Sequence, residues 1–242
     1  MWRDDLRGLW AIVVKDMRTY YLKPPAVSWG IVFPITWILA FYLRNPRGFA
    51  ELVPGLIAMT ALFSTTAAEA VVINFELRLG SLERLLLAPI HVSTVFLAKV
   101  LGGALFGLAM STVVTVGAVA VVSGSVNVAH LVLVLIPSLL AFASLGALLC
   151  VLVKEVFEAQ TLLNLPRFVM IFLSGVVYPT SAMPPALRAL SRLFPLTYSV
   201  EGIRSACSSD PTRLVYADVL ALAGFTVAFI LIGMRRFSAR FE

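Results

Sequence analysis

Long apolar segments constrain this chain more than any other feature of its sequence. Residues 49–73 and 90–122 are the clearest examples, and each exceeds the roughly 20 mainly apolar residues that a helix needs to cross a bilayer. The whole chain is 60% hydrophobic and only 13% charged, whereas a soluble domain has about 25% charged residues. The segments also lack the two-residue alternation of barrel strands. We therefore expect an all-α integral membrane protein.

The length of the chain leaves room for about six spanning helices with short connections. They are predicted at residues 26–43, 52–73, 92–122, 130–153, 159–177 and 214–234. Before them, residues 1–23 place Leu6 and Trp10 on one helical face, while basic residues such as Lys15 lie on or beside the other. This pattern is typical of a helix that lies in the membrane interface. We interpret residues 1–242 as a single transmembrane domain.

A short charged stretch, residues 74–90, separates the second and third predicted spans. Gly80 breaks the preceding helix, and Ser81 is expected to cap a new helix by accepting a hydrogen bond from an amide of its first turn. Glu83 lies in that turn, where the helix dipole favours a negative charge, and Pro89 ends the helix because it fixes φ and lacks an amide donor. The stretch predicts an amphipathic helix of about two turns that lies across the membrane surface.

The distribution of basic residues predicts the orientation of the chain. With the N-terminus in the cytoplasm, twelve of the 19 Lys and Arg residues fall on that side, six fall outside and Arg167 lies within a span. An excess of cytoplasmic Lys and Arg is the usual arrangement in membrane proteins. We expect a multi-pass plasma-membrane protein with both termini and residues 74–90 in the cytoplasm, and with residues 178–212 outside.

The sequence lacks the motifs of catalysis. It has no Gly-x-x-x-x-Gly-Lys-Ser/Thr loop, so this chain does not cradle a nucleotide phosphate in that way. The two histidines, His91 and His130, are far apart and lack the spacing of a metal site. The net charge of +6 is ascribed to basic cytoplasmic ends, and no nucleic-acid partner is expected. We expect a transport subunit that is not an enzyme and that takes its energy from a partner or an ion gradient.

Two sets of residues resemble those of ABC exporter permeases of the type 2 family. In the charged stretch the similar residues are Arg78, Gly80, Leu82-Glu83, Leu85, Pro89 and, in the next helix, Lys99. In the outer loop they are Ser174-Gly175, Tyr178-Pro179, Met183-Pro184, Pro195-Leu196-Thr197-Tyr198 and Arg204. Both sets follow the family's order, and with the N-terminal helix they extend the resemblance over nearly the whole chain.

The resemblance implies a membrane subunit that works with a separate motor. Two copies of the permease, as a homodimer, would form a pathway, and two copies of a cytoplasmic ABC ATPase subunit would bind ATP and Mg²⁺, so that no cofactor is expected in this chain. In the family, the interfacial helix and the coupling helix, here in residues 74–90, both touch the ATPase. The contact residues carried over are Lys15, Arg18, Arg78, Glu83, Arg84 and Leu85.

Residues 178–212 resemble the family's re-entrant helical hairpin, which dips back into the outer leaflet. The hairpin residues carried over are Tyr178, Pro179, Pro184, Pro195, Tyr198 and Arg204. An ordinary outer loop is the alternative, since non-helical backbone at membrane depth is tolerated only where protein or water satisfies it.

Two charged residues are predicted inside the membrane. Such residues are costly and are usually paired or line a pathway. Glu69 lies about one turn from the cytoplasmic end of the second span, and the long side chain of Arg167 can reach toward it from the fifth. We expect the two to pair, either to fix helix packing or to line the entry gate.

The function favoured by these observations is that of the membrane subunit of an ATP-driven exporter of amphipathic, drug-like or lipid-like molecules, in contact with membrane lipid. Export of a lipid-linked polysaccharide is an alternative within the same architecture. An ion-coupled secondary carrier would show interrupted helices in symmetric halves and several midplane carboxylates, and only Glu69 comes close. A membrane scaffold without transport activity is the remaining alternative.

Overall fold

The computed structural model describes residues 2–21, 23–28, 32–44, 49–121, 126–153, 156–208 and 214–241. Every regular element in these ranges is a helix, which confirms the predicted all-α class. The helices are α1 (Trp2–Asp16), α2 (Pro24–Val27), α3 (Phe33–Arg44), α4 (Phe49–Arg78), α5 (Ser81–Leu86), α6 (Val92–Val121), α7 (Val128–Leu152), α8 (Val156–Leu173), α9 (Pro185–Ser191), α10 (Pro195–Ala206) and α11 (Leu214–Phe241). A π-helical turn, Met17–Tyr21, extends α1, and a 3₁₀ turn, Thr180–Ala182, precedes α9.

Four of the described helices are long and apolar enough to cross a membrane. The spanning parts are Phe49–Arg78 of α4, Val92–Ala118 of α6, Val128–Leu152 of α7 and Val215–Ala239 of α11. They coincide with the second, third, fourth and sixth predicted spans.

The first and fifth predicted spans coincide with shorter helices. In the fifth, the apolar part of α8 is limited to Thr161–Leu173. In the first, residues 29–31 lie outside the described part of the chain, and α3 has 12 residues. At 1.5 Å per residue α3 rises about 18 Å, which is less than the roughly 30 Å of the hydrocarbon core. Six spans therefore remain a prediction.

The central helix of the bundle is α4, and α11 lies at its edge. The most apolar window of α4 is 94% buried, whereas that of α11 is 22% buried. α4 packs against α6, α7, α8 and α10, because small buried residues such as Ala58 and Ala61 let neighbours approach closely. α11 instead exposes large apolar residues, including Leu220 and Val227, which suit a surface covered by lipid.

Two glycines allow α6 and α7 to close around one side chain of α4. A Cβ atom added to Gly103 of α6 would overlap the carboxylate of Glu69. A Cβ atom added to Gly146 of α7 would lie 3.1 Å from the Cα of Thr66 and 3.2 Å from the Cβ of Glu69. Glu69 therefore occupies a narrow slot that exists only because both neighbours lack a side chain.

The two ends of the bundle carry different short helices. At the α5 end, α1 and α5 meet the C-terminal part of α4 and the start of α6. At the α10 end, α10 packs on α4, α7 and α11, and α9 packs on α8. The backbone joins α10 to α7 directly, since the amide of Asn127 donates to the carbonyl of Ala206 at 3.0 Å. Each end therefore has its own group of side chains, and the predicted contact residues lie at the α5 end.

Candidate coupling site

A tight turn separates α4 from α5. The amides of Leu79 and Gly80 donate to the carbonyls of Phe75 and Leu77 at 3.0 and 3.3 Å, which closes the last turn of α4. Gly80 then adopts the left-handed conformation with φ of 64°, where glycine has no steric cost. The sequence prediction of a break at this position, followed by a new short helix, is confirmed.

The predicted cap of α5 is wrong. The side chain of Ser81 accepts no amide hydrogen bond from the first turn of α5. Its hydroxyl instead donates back to the carbonyl of Glu76 at 3.4 Å. The reason is that left-handed Gly80 is itself the residue before the helix, so Ser81 is already helical and its side chain lies beside the end of α4. The helix ends before Pro89, as expected.

The α5 hairpin, residues 79–87, exposes both apolar and charged side chains. Leu79 and Leu87 are 63% and 86% exposed, whereas Leu82 is fully buried against the bundle. Among the predicted contact residues, Arg18, Arg78, Glu83 and Arg84 are exposed, Leu85 is half-buried and Lys15 is 36% exposed. One side of this hairpin is therefore anchored, and the other presents leucines and charges that a soluble partner could bind.

A cluster of four charges lies directly behind this hairpin. Lys99 of α6 is buried, with its Nζ 2.7 Å from Asp16 Oδ2 and 2.6 Å from Glu76 Oε2. Lys15 lies 3.0 Å from Asp16 Oδ1 and also pairs with Glu76. These four residues, which we call the charge cluster, join α1, α4 and α6. Two positive and two negative charges cancel, which is the condition under which buried ions are tolerated.

The pKa values of the two α1 members reflect this environment. Burial alone would lower the pKa of Lys15, but the hydrogen bond and the charge of Glu76, with the charge of Asp16, raise it above its ordinary 10.5. Burial and the negative charge of Glu76 raise the pKa of Asp16 above its ordinary 3.8, and Lys99 offsets part of this shift. Lys15 therefore remains a cation at neutral pH, and its ammonium group is engaged inside the molecule.

A second contact, apart from the charge cluster, holds the N-terminal end of α1. The carboxylate of Asp5 accepts a hydrogen bond from the amide of His91 at 3.2 Å and one from the hydroxyl of Thr94 at 3.3 Å. The Nδ1 atom of His91 lies 3.0 Å from Asp5 Oδ2. The hydrogen bond from the His91 amide is the main cause that lowers the pKa of Asp5 below its ordinary 3.8. This contact is therefore present at neutral pH and weakens only as the pH falls through that lowered value.

The residues predicted for the outer hairpin lie together at the α10 end. Pro195 is the first residue of α10, and Pro184 immediately precedes α9. The guanidinium of Arg204 donates to the carbonyl of Gly175 at 3.0 Å, and the hydroxyl of Tyr198 donates to the carbonyl of Arg192. Tyr178 and Pro179, in the connection after α8, are exposed. The structure thus brings these residues into one region, and whether that region enters the membrane remains a prediction.

Glu69 and Arg167 do not form an ion pair in the structure. Arg167 donates from Nε to the hydroxyl of Thr66 at 2.7 Å and from Nη1 to Asn164 Oδ1 at 2.9 Å, and its guanidinium lies over the ring of Phe63. Among the described residues, no side chain donates to either carboxylate oxygen of Glu69, and none accepts from Arg167 Nη2. The pairing was inferred from reach alone, but Glu69 projects between Gly103 and Gly146, away from the α8 side of α4.

Sequence reasoning missed the charge cluster. Asp16 and Glu76 were not singled out, and Lys99 was noted only for its place in a family motif. One signal was available: Lys99 stands about two turns inside a long apolar helix, where an unpaired charge is costly. That position demands a carboxylate partner. The sequence alone does not say which of the nearby acidic residues supplies it.

Comparison with known proteins agrees with the family resemblance seen in the sequence. The model of the family described as ABC-2 type transporter matches residues 7–207. The chain is 27% identical over 240 residues to the inner membrane transport permease YadH of Escherichia coli (strain K12), covering 94% of this chain and 92% of that protein. It is 29% identical over 223 residues to the putative transport permease ycf38 of Cyanophora paradoxa, covering 85% and 75% of the two chains.

A third relative is the probable multidrug ABC transporter permease YbhS of Escherichia coli (strain K12). It is 25% identical over 204 residues, which are 81% of this chain and 54% of that protein. The region that the family model matches, residues 7–207, includes the α5 hairpin and helices α9 and α10, so the similarity is not confined to generic apolar helices. With its long apolar helices, this chain is a multi-pass membrane permease and belongs to the ABC-2 type transporter family.

Proposed function

We propose that this protein is the membrane subunit of an ATP-driven exporter and that the α5 hairpin binds a separate cytoplasmic ATPase subunit. The observation that carries the proposal is the geometry of this hairpin. It exposes Leu79, Leu87, Glu83 and Arg84, while its other side is anchored between two long membrane helices. The chain has no phosphate-binding loop of its own, so the energy for transport has to reach it through such a contact.

The mechanism follows from how α5 is connected. Only a short turn separates α5 from α4, and a short link through Pro89 joins it to α6. When two ATPase subunits close on ATP, a force on α5 is transmitted to the adjoining ends of both helices. Rigid helices move as levers in such transitions. Two permease copies with their cytoplasmic ends displaced in this way would open a path between them.

The proposed substrate is amphipathic and drug-like or lipid-like. An apolar groove of about 550 Å³ lies between α3 and α6, lined by residues such as Ile38, Leu39, Val113 and Val114. Such a groove accepts an acyl chain or an aromatic drug, and it offers few polar groups for a sugar. The multidrug description of YbhS is compatible with this class of substrate.

The test begins with the partner. The permease is co-expressed with ABC ATPase subunits of its own organism, purified through a tag on the permease and reconstituted in vesicles. Transport of ethidium and of a fluorescent phosphatidylethanolamine is then measured with ATP. We expect a co-purified ATPase and ATP-dependent export of at least one probe. Absence of any bound ATPase from all preparations would refute the proposal.

The contact itself is tested by the charge reversals Glu83→Lys and Arg84→Glu. Both side chains are exposed, so the free energy of unfolding should change by no more than about 0.5 kcal/mol. Export per ATP hydrolysed should fall sharply. Glu51→Lys is the matched control, because Glu51 is also exposed but lies at the opposite end of α4. Normal export by both reversals would show that α5 is not the coupling element.

A further inference from the structure

The N-terminal helix α1 is fastened at two separate points to α6, the helix that follows the α5 hairpin. Near its start, Asp5 binds His91 and Thr94, at the beginning of α6. At its end, Asp16 binds Lys99 of the same helix. The two aspartates are eleven residues apart, which corresponds to about 16 Å along α1. Two attachments at this spacing determine both the position and the direction of α1 relative to α6.

A third contact lies between these two points. Gly8 of α1 packs so closely on the link between α5 and α6 that an added Cβ atom would lie 2.9 Å from Ile90 Cγ2. The end of α4 is included as well, because Glu76 pairs with Lys99 and Lys15. The interfacial helix is thus attached to the elements on both sides of α5.

The two attachments differ in strength. Asp16, Glu76 and Lys99 are almost completely buried, so removing one of them leaves a charge without compensation in a region of low dielectric. The Asp5–His91 contact is partly exposed, and a single exposed ion pair contributes little. The charge cluster is therefore the stronger attachment, and the Asp5 contact holds the N-terminal end of α1.

We propose that Asp5, Asp16, Glu76 and Lys99 are positioning residues that hold α1 rigidly against α4 and α6. When the ATPase moves α5, α1 and α5 therefore move as one body. The inference rests on the proposed function, since it assumes that α5 is pushed by an ATPase. It also changes the role of Lys15, whose ammonium group pairs inside the cluster and is not a free contact for the partner. Arg18, which is exposed, remains available for that contact.

The test releases α1 without stranding a buried charge. The quadruple variant Lys15→Met/Asp16→Leu/Glu76→Met/Lys99→Met removes both negative and both positive charges, so that no ion pair between α1 and α4 or α6 remains. Replacement of a buried ion pair by apolar residues of similar volume is often neutral for stability. Asp5→Ala is added to free the other end, because it removes the oxygens that accept from the His91 amide and the Thr94 hydroxyl. The matched control is Arg192→Gln/Glu201→Gln, which removes an ion pair of 2.6 Å at the α10 end.

Two measurements are made on each variant. Hydrogen–deuterium exchange of the permease alone, in nanodiscs, reports whether α1 has been released. Ethidium exported per ATP hydrolysed, in the complex with the co-purified ATPase, reports coupling. In the released variant we expect faster exchange confined to α1 and a several-fold loss of export per ATP, at an unchanged Tm. The control should match the parent in both measurements.

The conservative variant Asp16→Glu keeps the sign of all four charges and should match the parent in both readouts. The inference is overturned if exchange in α1 stays slow in the released variant, since the attachments then do not hold the helix. It is also overturned if α1 is released and export per ATP is unchanged. Failure to find an ATPase would refute the proposed function instead, and the exchange measurement would still decide whether these residues hold α1.

Discussion

The charge cluster and the Glu69–Arg167 region both bury charged side chains in one bundle, but they satisfy those charges differently. In the cluster, Lys99 has a carboxylate at 2.6 Å and another at 2.7 Å. In the other region, Arg167 is bound only by neutral oxygens and a ring face, and no side chain among the described residues donates to either oxygen of Glu69. Glu69 and Glu76 are seven residues apart on α4, which is about two turns, so depth alone does not explain the difference.

The difference lies in the number of elements that supply the charges. Three elements converge at the α5 end, and α1 brings both an anion and a cation to it. Farther into the bundle, Glu69 faces two glycines that leave room for its carboxylate but provide no side chain to bind it. We conclude that ion pairs fasten the elements together at the α5 end, whereas deeper inside Arg167 joins α8 to α4 only through a neutral hydroxyl and a ring face. Four substitutions test this difference between the two regions.

Lys99→Met is expected to lower the free energy of unfolding more than any of the other substitutions. The substitution leaves Asp16 and Glu76 buried with only the partly exposed Lys15 to neutralise them. Removing one partner of a buried ion pair costs about 3–5 kcal/mol, so the free energy of unfolding should fall by that amount. Thermal or denaturant unfolding of the purified permease in detergent measures it. A loss below about 1 kcal/mol would mean that the cluster is no better paired than the Glu69 region.

Gly103→Ala is expected to lower the free energy of unfolding by a smaller amount. Its new Cβ atom would overlap the carboxylate of Glu69, and overpacking of this kind typically costs about 1–3 kcal/mol. The matched control is Gly117→Ala on the same helix, where nothing lies within 4 Å and the higher helix propensity of alanine should stabilise the protein by about 0.5–1 kcal/mol. Equal effects of the two changes on the unfolding free energy would show that the slot around Glu69 is not tight.

The long helices and the turn before α5 are the parts of the fold that the sequence alone predicts. Apolar length alone predicted α4, α6, α7 and α11, because a long run without charges has few other structures available to it. The break at Gly80 and the end of α5 before Pro89 were predicted from backbone restrictions that act within a few residues. Such local rules do not depend on how the rest of the chain packs.

The charge cluster could not be predicted in this way. Asp16 and Lys99 are 83 residues apart, and only the packing of α1 against α6 brings them together. The expected pair of Glu69 and Arg167 failed for the same reason: it was inferred from height along two helices, but pairing also depends on which way each side chain faces. The cap by Ser81 failed because one left-handed residue shifted the start of α5.

A change of about 1 kcal/mol or less in either direction is expected from Arg167→Met. The substitution loses the hydrogen bonds to Thr66 and Asn164 and the contact with Phe63, but it also removes a buried charge that has no carboxylate partner. The hydroxyl of Thr66 still has the carbonyl of Leu62 as an acceptor. Unfolding in the same detergent as for Lys99→Met measures the change. A loss of 3 kcal/mol or more, as large as that of Lys99→Met, would show that Arg167 is paired as tightly as the cluster.

Glu69→Gln is expected to change the free energy of unfolding least. Glutamine has nearly the shape of glutamate, so the slot between α6 and α7 is filled as before, and no ion pair is lost because none joins Glu69 to a cation in the described part of the chain. The corresponding change in the cluster, Glu76→Gln, weakens the pairs with Lys99 and Lys15 and should destabilise the protein far more. Unfolding of the two variants side by side tests the comparison directly. If Glu69→Gln costs as much as Glu76→Gln, Glu69 has a partner that depends on its charge, and the distinction between the two regions fails.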